Sequence, residues 1–144
     1  MVFLKRNGHI LLCIMIFCFA LFNKAIASDE INSESFYTEN QPNIIVKKSQ
    51  PHFSIKLKSN PTTGYSWFLR EYNSKFISPL KHQFEKPIKP VVGASGYEIW
   101  IFRVKPTGFI VPQRTPIRLV YARPWQANES ATVLTFWVTM LPAD

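Results

Sequence analysis

Residues 133–140 read Val-Leu-Thr-Phe-Trp-Val-Thr-Met, and Leu134, Phe136, Val138 and Met140 alternate in this run with a second set of side chains. Successive side chains of a β-strand point to opposite faces, so this alternation predicts a strand with one face in a core. Aromatic and β-branched residues dominate the run, and such residues favour half-buried strands. The stretch therefore predicts a well-packed strand close to the C-terminal end of the sequence.

The same period of two recurs at Phe53, Ile55 and Leu57, and no segment carries a convincing helical stripe. Short apolar segments punctuated by Pro, Gly and Asn indicate about seven strands. Their predicted bounds are 43–48, 52–58, 65–70, 80–85, 97–105, 114–122 and 131–140. Strands of this number and length predict an all-β fold, an immunoglobulin-like antiparallel β-sandwich.

The N-terminal residues have the pattern of a signal peptide. Lys5 and Arg6 precede an apolar run over residues 10–22, and Ala25 and Ala27 form a small-x-small cleavage site. We therefore expect residues 1–27 to be a signal peptide and the protein to be exported, either to a periplasm or out of the cell. An uncleaved N-terminal anchor is the alternative. Residues 28–42 are predicted to be a flexible leader, and residues 43–144 the folded domain.

Cleavage after Ala27 would remove both cysteines, Cys13 and Cys18, and lower the formal charge from +8 to +5 with the loss of Lys5, Arg6 and Lys24. A domain without cysteine has no disulfide, thiolate metal site or cysteine nucleophile. The remaining basic residues are scattered, so we expect neither nucleic acid nor membrane as a partner.

The inventory of titratable residues argues against an enzyme. The predicted domain contains only two histidines, His52 and His82, while Asp29 and Asp144 lie near the two ends of the chain. A Ser-His-Asp triad would need one of those ends to reach inward. A glycosidase pair would have to come from glutamates that are far apart in sequence, namely Glu71, Glu85 and Glu98. No cluster has metal-ligand spacing, so no metal or other cofactor is expected.

Strands that alternate in direction place every second connection at the same end of a sandwich. These connections are residues 59–64, 87–96 and 123–130, and each has an unusual sequence. A rigid scaffold that gathers such loops at one end is typical of a binding protein.

The first of these connections is rich in turn-forming residues. Proline fixes φ, the asparagine and threonine side chains can bond to nearby backbone, and glycine permits a positive φ. By itself such a string is compatible with a simple hairpin turn. It reads Asn60-Pro61-Thr62-Thr63-Gly64-Tyr65.

The other two connections offer a glycine-rich turn and an exposed aromatic. The second reads Gly93-Ala94-Ser95-Gly96, and the third reads Arg123-Pro124-Trp125. A tryptophan that follows proline in a loop is a large, rigid interface anchor. The alternative is that Trp125 folds back over the end of the sandwich with Arg123 stacked on it.

Taken in order, these three strings resemble the contact loops of the chagasin-like family of inhibitors of papain-family cysteine proteases. The resemblance covers residues 43–140 and departs from the family pattern at Ser95, where a Gly-x-Gly-Gly motif has glycine. It implies a reversible, tight-binding wedge in which Thr62, Thr63 and Gly64 enter the protease cleft. The strings around Gly93 and Trp125 would then grip its two sides.

The resemblance further implies a protein, a papain-family protease, as the partner of a monomeric inhibitor. The rival interpretation is an exported immunoglobulin-like module that binds a carbohydrate or a protein without inhibiting it, because exposed tryptophans also stack on sugars. A bulky substitution at Gly64 distinguishes the two interpretations. It would prevent a wedge from entering the protease cleft, whereas a sugar-binding module would tolerate it.

Overall fold

The computed structural model describes residues 36–88, 91, 93–126 and 131–142, and these residues contain eight β-strands. The strands are β1 (Phe36–Tyr37), β2 (Asn43–Lys47), β3 (His52–Ser59), β4 (Ser66–Tyr72), β5 (Ile77–Glu85), β6 (Gly96–Val104), β7 (Gln113–Ala122) and β8 (Thr132–Leu141). Two short 3₁₀ turns, Pro61–Thr63 and Pro106–Phe109, lie in connections. No helix within these ranges is long and apolar enough to cross a membrane.

The strands form two four-stranded sheets that pack face to face. One sheet has the order β1-β3-β6-β5, and the other has the order β2-β8-β7-β4. The predicted all-β sandwich is therefore confirmed, and each of the seven predicted strands has its counterpart within a few residues. The predicted signal peptide, residues 1–27, lies outside the described residues.

Two edge strands depart from the expected arrangement. β1 lies inside the segment predicted as a leader, where Phe36 and Tyr37 pair with Ser54 and Ile55 of β3. The sequence predicted an antiparallel sandwich. At these two edges the prediction is wrong, because both β1 and β2 run parallel to their neighbours. An edge presents free N–H and C=O groups that accept a strand in either direction, and sequence patterns carry no signal for that choice.

β5 also begins earlier than predicted. It starts at Ile77, which is fully buried, whereas the predicted strand starts at residue 80. Pro79 instead lies within the strand, opposite Phe102, next to an irregularity in register. Proline is tolerated there because β5 is an edge strand and its other side needs no ladder of N–H donors.

The core forms where the inward faces of the two sheets meet, as the alternation predicts. Phe53, Phe102 and Phe136 are among its buried side chains, with the Phe53 and Phe102 rings stacked at 5.3 Å between centroids. Trp137, in the opposite phase to Phe136, is 40% exposed. Packing of these apolar faces supplies the main driving force for the fold.

Chain topology brings three connections to the same pole of the sandwich. The first loop (residues 60–65) crosses from β3 in one sheet to β4 in the other. The second loop (residues 86–95) joins the adjacent strands β5 and β6, and the third loop (residues 123–131) joins the adjacent strands β7 and β8. The first loop therefore lies between two hairpin ends, one from each sheet.

We expect Phe102→Ala to lower the free energy of unfolding by about 3–5 kcal/mol, because it removes a fully buried ring from the centre of the core. Urea denaturation followed by circular dichroism measures this loss. Ile110→Ala is the control, since Ile110 is 74% exposed and its truncation should change stability by less than about 0.5 kcal/mol. Equal losses in the two variants would contradict the assignment of the core.

Candidate functional site

The first loop is held by its own hydrogen bonds. The carbonyl of Asn60 accepts from the Thr63 backbone N–H at 3.1 Å and from the Thr63 hydroxyl at 2.7 Å. The Thr62 hydroxyl donates to Oδ1 of Asn60 at 2.6 Å, and the Gly64 N–H donates to the Pro61 carbonyl at 2.9 Å. These contacts fold the loop into a compact 3₁₀ turn before any partner arrives.

Gly64 ends this turn in the left-handed conformation, with φ of +81°. L side chains disfavour that region, so the backbone alone calls for glycine. A Cβ atom at Gly64 would also lie 2.8 Å from Cη2 of Trp125. The glycine thus permits both the turn and the close approach of the third loop.

On one side, the first loop bonds to the second loop. The side-chain amide of Asn60 donates to the carbonyl of Gly93 at 3.2 Å. Gly93 has φ of +82°, while a Cβ at Gly96 would collide with the Glu85 carbonyl and the Phe84 ring. Each of these two glycines therefore has a distinct physical reason, one conformational and the other steric.

On its other side, the first loop bonds to the third loop. Nε of Arg123 donates to the Thr63 carbonyl at 3.1 Å, and its guanidinium lies 4.6 Å above the Tyr65 ring. Tyr65 stacks on Tyr121 at 5.3 Å, and the Tyr121 hydroxyl accepts from the Asn60 N–H at 3.0 Å. Through Arg123 and Tyr121, Tyr65 therefore supports the first loop.

Trp125 projects from the third loop and is 74% exposed. It does not fold back over the sandwich under Arg123, because Arg123 stacks on Tyr65 instead. The far edge of the indole approaches Gly64, while Pro124 beside it is exposed. A large aromatic surface is therefore presented at the same end as the first loop.

The structure thus brings together the three strings that the sequence singled out. Hydrogen bonds join the first loop to each neighbour, so residues from all three loops form one continuous surface. Sequence reasoning missed Tyr121, whose hydroxyl and ring hold the first loop from below. Its position at the end of an alternating strand, two residues before Arg123, was the available signal.

The chemistry of this surface is that of recognition. No group of three or more His, Cys, Asp or Glu residues that could hold a metal ion occurs in the described part of the chain. The polar side chains of the first loop, Asn60, Thr62 and Thr63, bond within the loop or to its neighbours. The surface consequently offers a fixed shape for another molecule to contact.

Comparison with known proteins gives a consistent result. Residues 47–140 match the family described as chagasin family peptidase inhibitor I42. Chagasin from Trypanosoma cruzi is 31% identical over 75 residues, which cover 49% of this chain and 64% of chagasin, just under two thirds of its length.

Solved structures with the same fold include the cysteine protease inhibitor EhICP2 from Entamoeba histolytica. It gives a TM-score of 0.60 at 24% identity, covering 73% of this chain and 93% of EhICP2. Amebosin gives a TM-score of 0.56 at 25% identity, covering 73% of this chain and 95% of Amebosin. PbICP-C, solved in complex with falcipain-2, gives a TM-score of 0.54 at 16% identity, covering 74% of this chain and 89% of PbICP-C.

The family match spans the sandwich from the end of β2 almost to the end of β8, and the matched family is one of peptidase inhibitors and not of enzymes. The chain belongs to the chagasin family, I42. Ser95, which departs from the expected Gly-x-Gly-Gly string, is half-buried between Gly93 and Gly96, the two positions where this loop needs glycine.

Gly64→Ala and Gly93→Ala form a matched pair, because both glycines have nearly the same φ but only Gly64 has a neighbour close to the new methyl group. We expect Gly93→Ala to cost about 1–2 kcal/mol of unfolding free energy from backbone strain alone. Gly64→Ala should cost more, and Trp125→Ala should relieve the excess by at least about 0.5 kcal/mol in a double-mutant cycle. Urea denaturation of the three single and two double variants measures the coupling; equal coupling of both glycines to Trp125 would refute the contact.

Proposed function

We propose that this protein is a reversible, tight-binding inhibitor of papain-like cysteine proteases that inserts its three loops into the active-site cleft. Membership of the chagasin family supports the inhibitor class. The observation that carries the mechanism is the locking of the first loop between its two neighbours by the Asn60–Gly93 and Arg123–Thr63 hydrogen bonds.

The first loop has the properties of a wedge that is not a substrate. Proteases hold the chain they cleave in an extended conformation, whereas Pro61–Thr63 is a 3₁₀ turn that ends in a left-handed Gly64. The carbonyls of Pro61 and Thr63 already accept hydrogen bonds, from Gly64 and Arg123 respectively. Opening this turn for attack would break those bonds, so the loop blocks the cleft and stays intact.

Rigidity of the loop also favours tight binding. A loop that is already ordered loses little conformational entropy when it binds. The flanking loops enlarge the contact towards the roughly 800 Å² per partner of a standard interface. Trp125, with its exposed indole beside Gly64, is the natural anchor, since aromatic side chains dominate interface energetics.

We further propose that the inhibitor acts as an exported monomer. The charged and then apolar pattern of residues 1–27 supports export. The target would then be a protease outside the cytoplasm, of the producing cell or of another organism.

We expect residues 28–144 to inhibit papain competitively at submicromolar concentration, as measured by titration with a fluorogenic substrate. Mass spectrometry after long incubation should find the inhibitor uncleaved. Papain with its catalytic cysteine carboxymethylated should retain binding, because the proposed blockade involves no covalent bond. Absence of inhibition at micromolar protein would reject the proposal and favour the carbohydrate- or protein-binding module.

Gly64→Trp should raise the inhibition constant for papain at least about 100-fold, since the added indole would crowd a wedge that enters a narrow cleft. Ile110→Trp is the matched control, because it places the same indole at an exposed residue near the opposite pole. The control should inhibit like the wild type. Full inhibition by a folded Gly64→Trp variant would rule out insertion of the first loop.

A further inference from the structure

Glu98 is an acidic residue in a position that the strand pattern reserves for the core. It lies on β6 in the same phase as Phe102 and Val104, and only 2% of its surface is exposed. Burial of a carboxylate is costly unless hydrogen bonds compensate for lost water. A glutamate buried at such a position therefore calls for an explanation. None of the loop contacts described above involves Glu98.

The carboxylate of Glu98 joins the two ends of the first loop. The Ser59 hydroxyl, at the end of β3, donates to Oε1 at 2.5 Å. The backbone N–H of Trp67, near the start of β4, lies 3.1 Å from Oε1 and 3.2 Å from Oε2. His82 on β5 completes the set, with Nε2 at 2.7 Å from Oε2.

This junction is where the first loop most needs support. β3 and β4 belong to different sheets, so no strand ladder fixes the distance between Ser59 and Trp67. Two links span this gap: the Glu98 carboxylate, and the indole N–H of Trp67, which donates to the Lys58 carbonyl at 3.0 Å. Bonds to a charged acceptor are stronger than neutral ones, and Glu98 provides three of them from three strands.

The geometry points to Glu98 as the positioning residue of the wedge: its carboxylate sets the spacing and direction of the two strand ends from which the first loop projects. This inference rests on the proposed function and assigns a role to a residue that does not itself reach the protease. Without Glu98, only the bond from Trp67 to Lys58 links the two strand ends. Ser59 and Trp67 can therefore move apart, and the loop samples conformations that do not fit the cleft. Affinity then falls in proportion to the fraction of protein with the correct loop.

Two substitutions at Glu98 separate positioning from charge. In Glu98→Gln, the amide oxygen can still accept from Ser59 and Trp67, and the amide nitrogen can donate to the ring nitrogen of His82. In Glu98→Leu, all of these bonds are lost while the side-chain volume stays similar. Ser59→Ala removes only one attachment, and Glu71→Leu is the matched control because Glu71 is half-exposed and pairs with Arg118 on the surface.

We expect Glu98→Leu to raise the dissociation constant for papain by at least about tenfold, and Ser59→Ala to raise it about threefold or more, because a partly populated loop binds more weakly. Glu98→Gln should restore binding to within about threefold, and Glu71→Leu should match the wild type. Backbone hydrogen exchange at Gly64 supplies a second readout. Its N–H, bonded to the Pro61 carbonyl, should exchange faster in Glu98→Leu and in Ser59→Ala.

A purely structural role would lower the urea midpoint of Glu98→Leu but leave papain affinity and Gly64 exchange unchanged in the folded protein, and that result would overturn the inference. If Glu98→Leu does not fold, Ser59→Ala decides, and wild-type affinity with wild-type exchange in that variant refutes positioning. Failure of the wild type to inhibit papain would reject the proposed function instead. In that case Gly64 exchange in the variants still supports or refutes the role of Glu98 in ordering the loop.

Discussion

Burial of one apolar face of each sheet against the other is the constraint on which the rest of this molecule depends. The side chains that fill the space between the sheets fix the relative position of β3 and β4, which no backbone ladder connects. They also fix the distance between the β5–β6 and β7–β8 hairpin ends. The first loop must cross this space, so its location between the other two loops follows from how the sheets pack.

Polar contacts then refine what apolar packing places only approximately. Asn60 is the centre of the loop network: its backbone and side chain together contact the Thr62 and Thr63 hydroxyls, the Tyr121 hydroxyl and the Gly93 carbonyl. At the base of the loop, Glu98 does the same for the strand ends. Fully satisfied networks of this kind favour one conformation over its alternatives, which is the property that a rigid binding surface requires.

Much of this arrangement could be predicted from the sequence, for identifiable reasons. Period-two patterns in β3 and β8 gave the correct buried faces, because one side of each strand meets the core. Strand parity placed the three loops at one pole. The sequence pattern could not predict the direction in which the edge strands pair. It also could not predict that Phe36 and Tyr37 form a strand, since two residues carry no periodicity. The bonds around Glu98 join residues up to 39 apart and could emerge only once the sheets were packed.

The polarity of the sandwich has a practical consequence. β8 leaves the third loop at Thr132 and runs the full length of the sheet, so Leu141 lies at the far pole beside the start of β7. A tether attached beyond Leu141 would therefore hold an immobilised molecule with its three loops turned towards solution. On a sensor surface or an affinity resin, every copy would be oriented for capture, whereas coupling through randomly chosen lysines would mask part of the population.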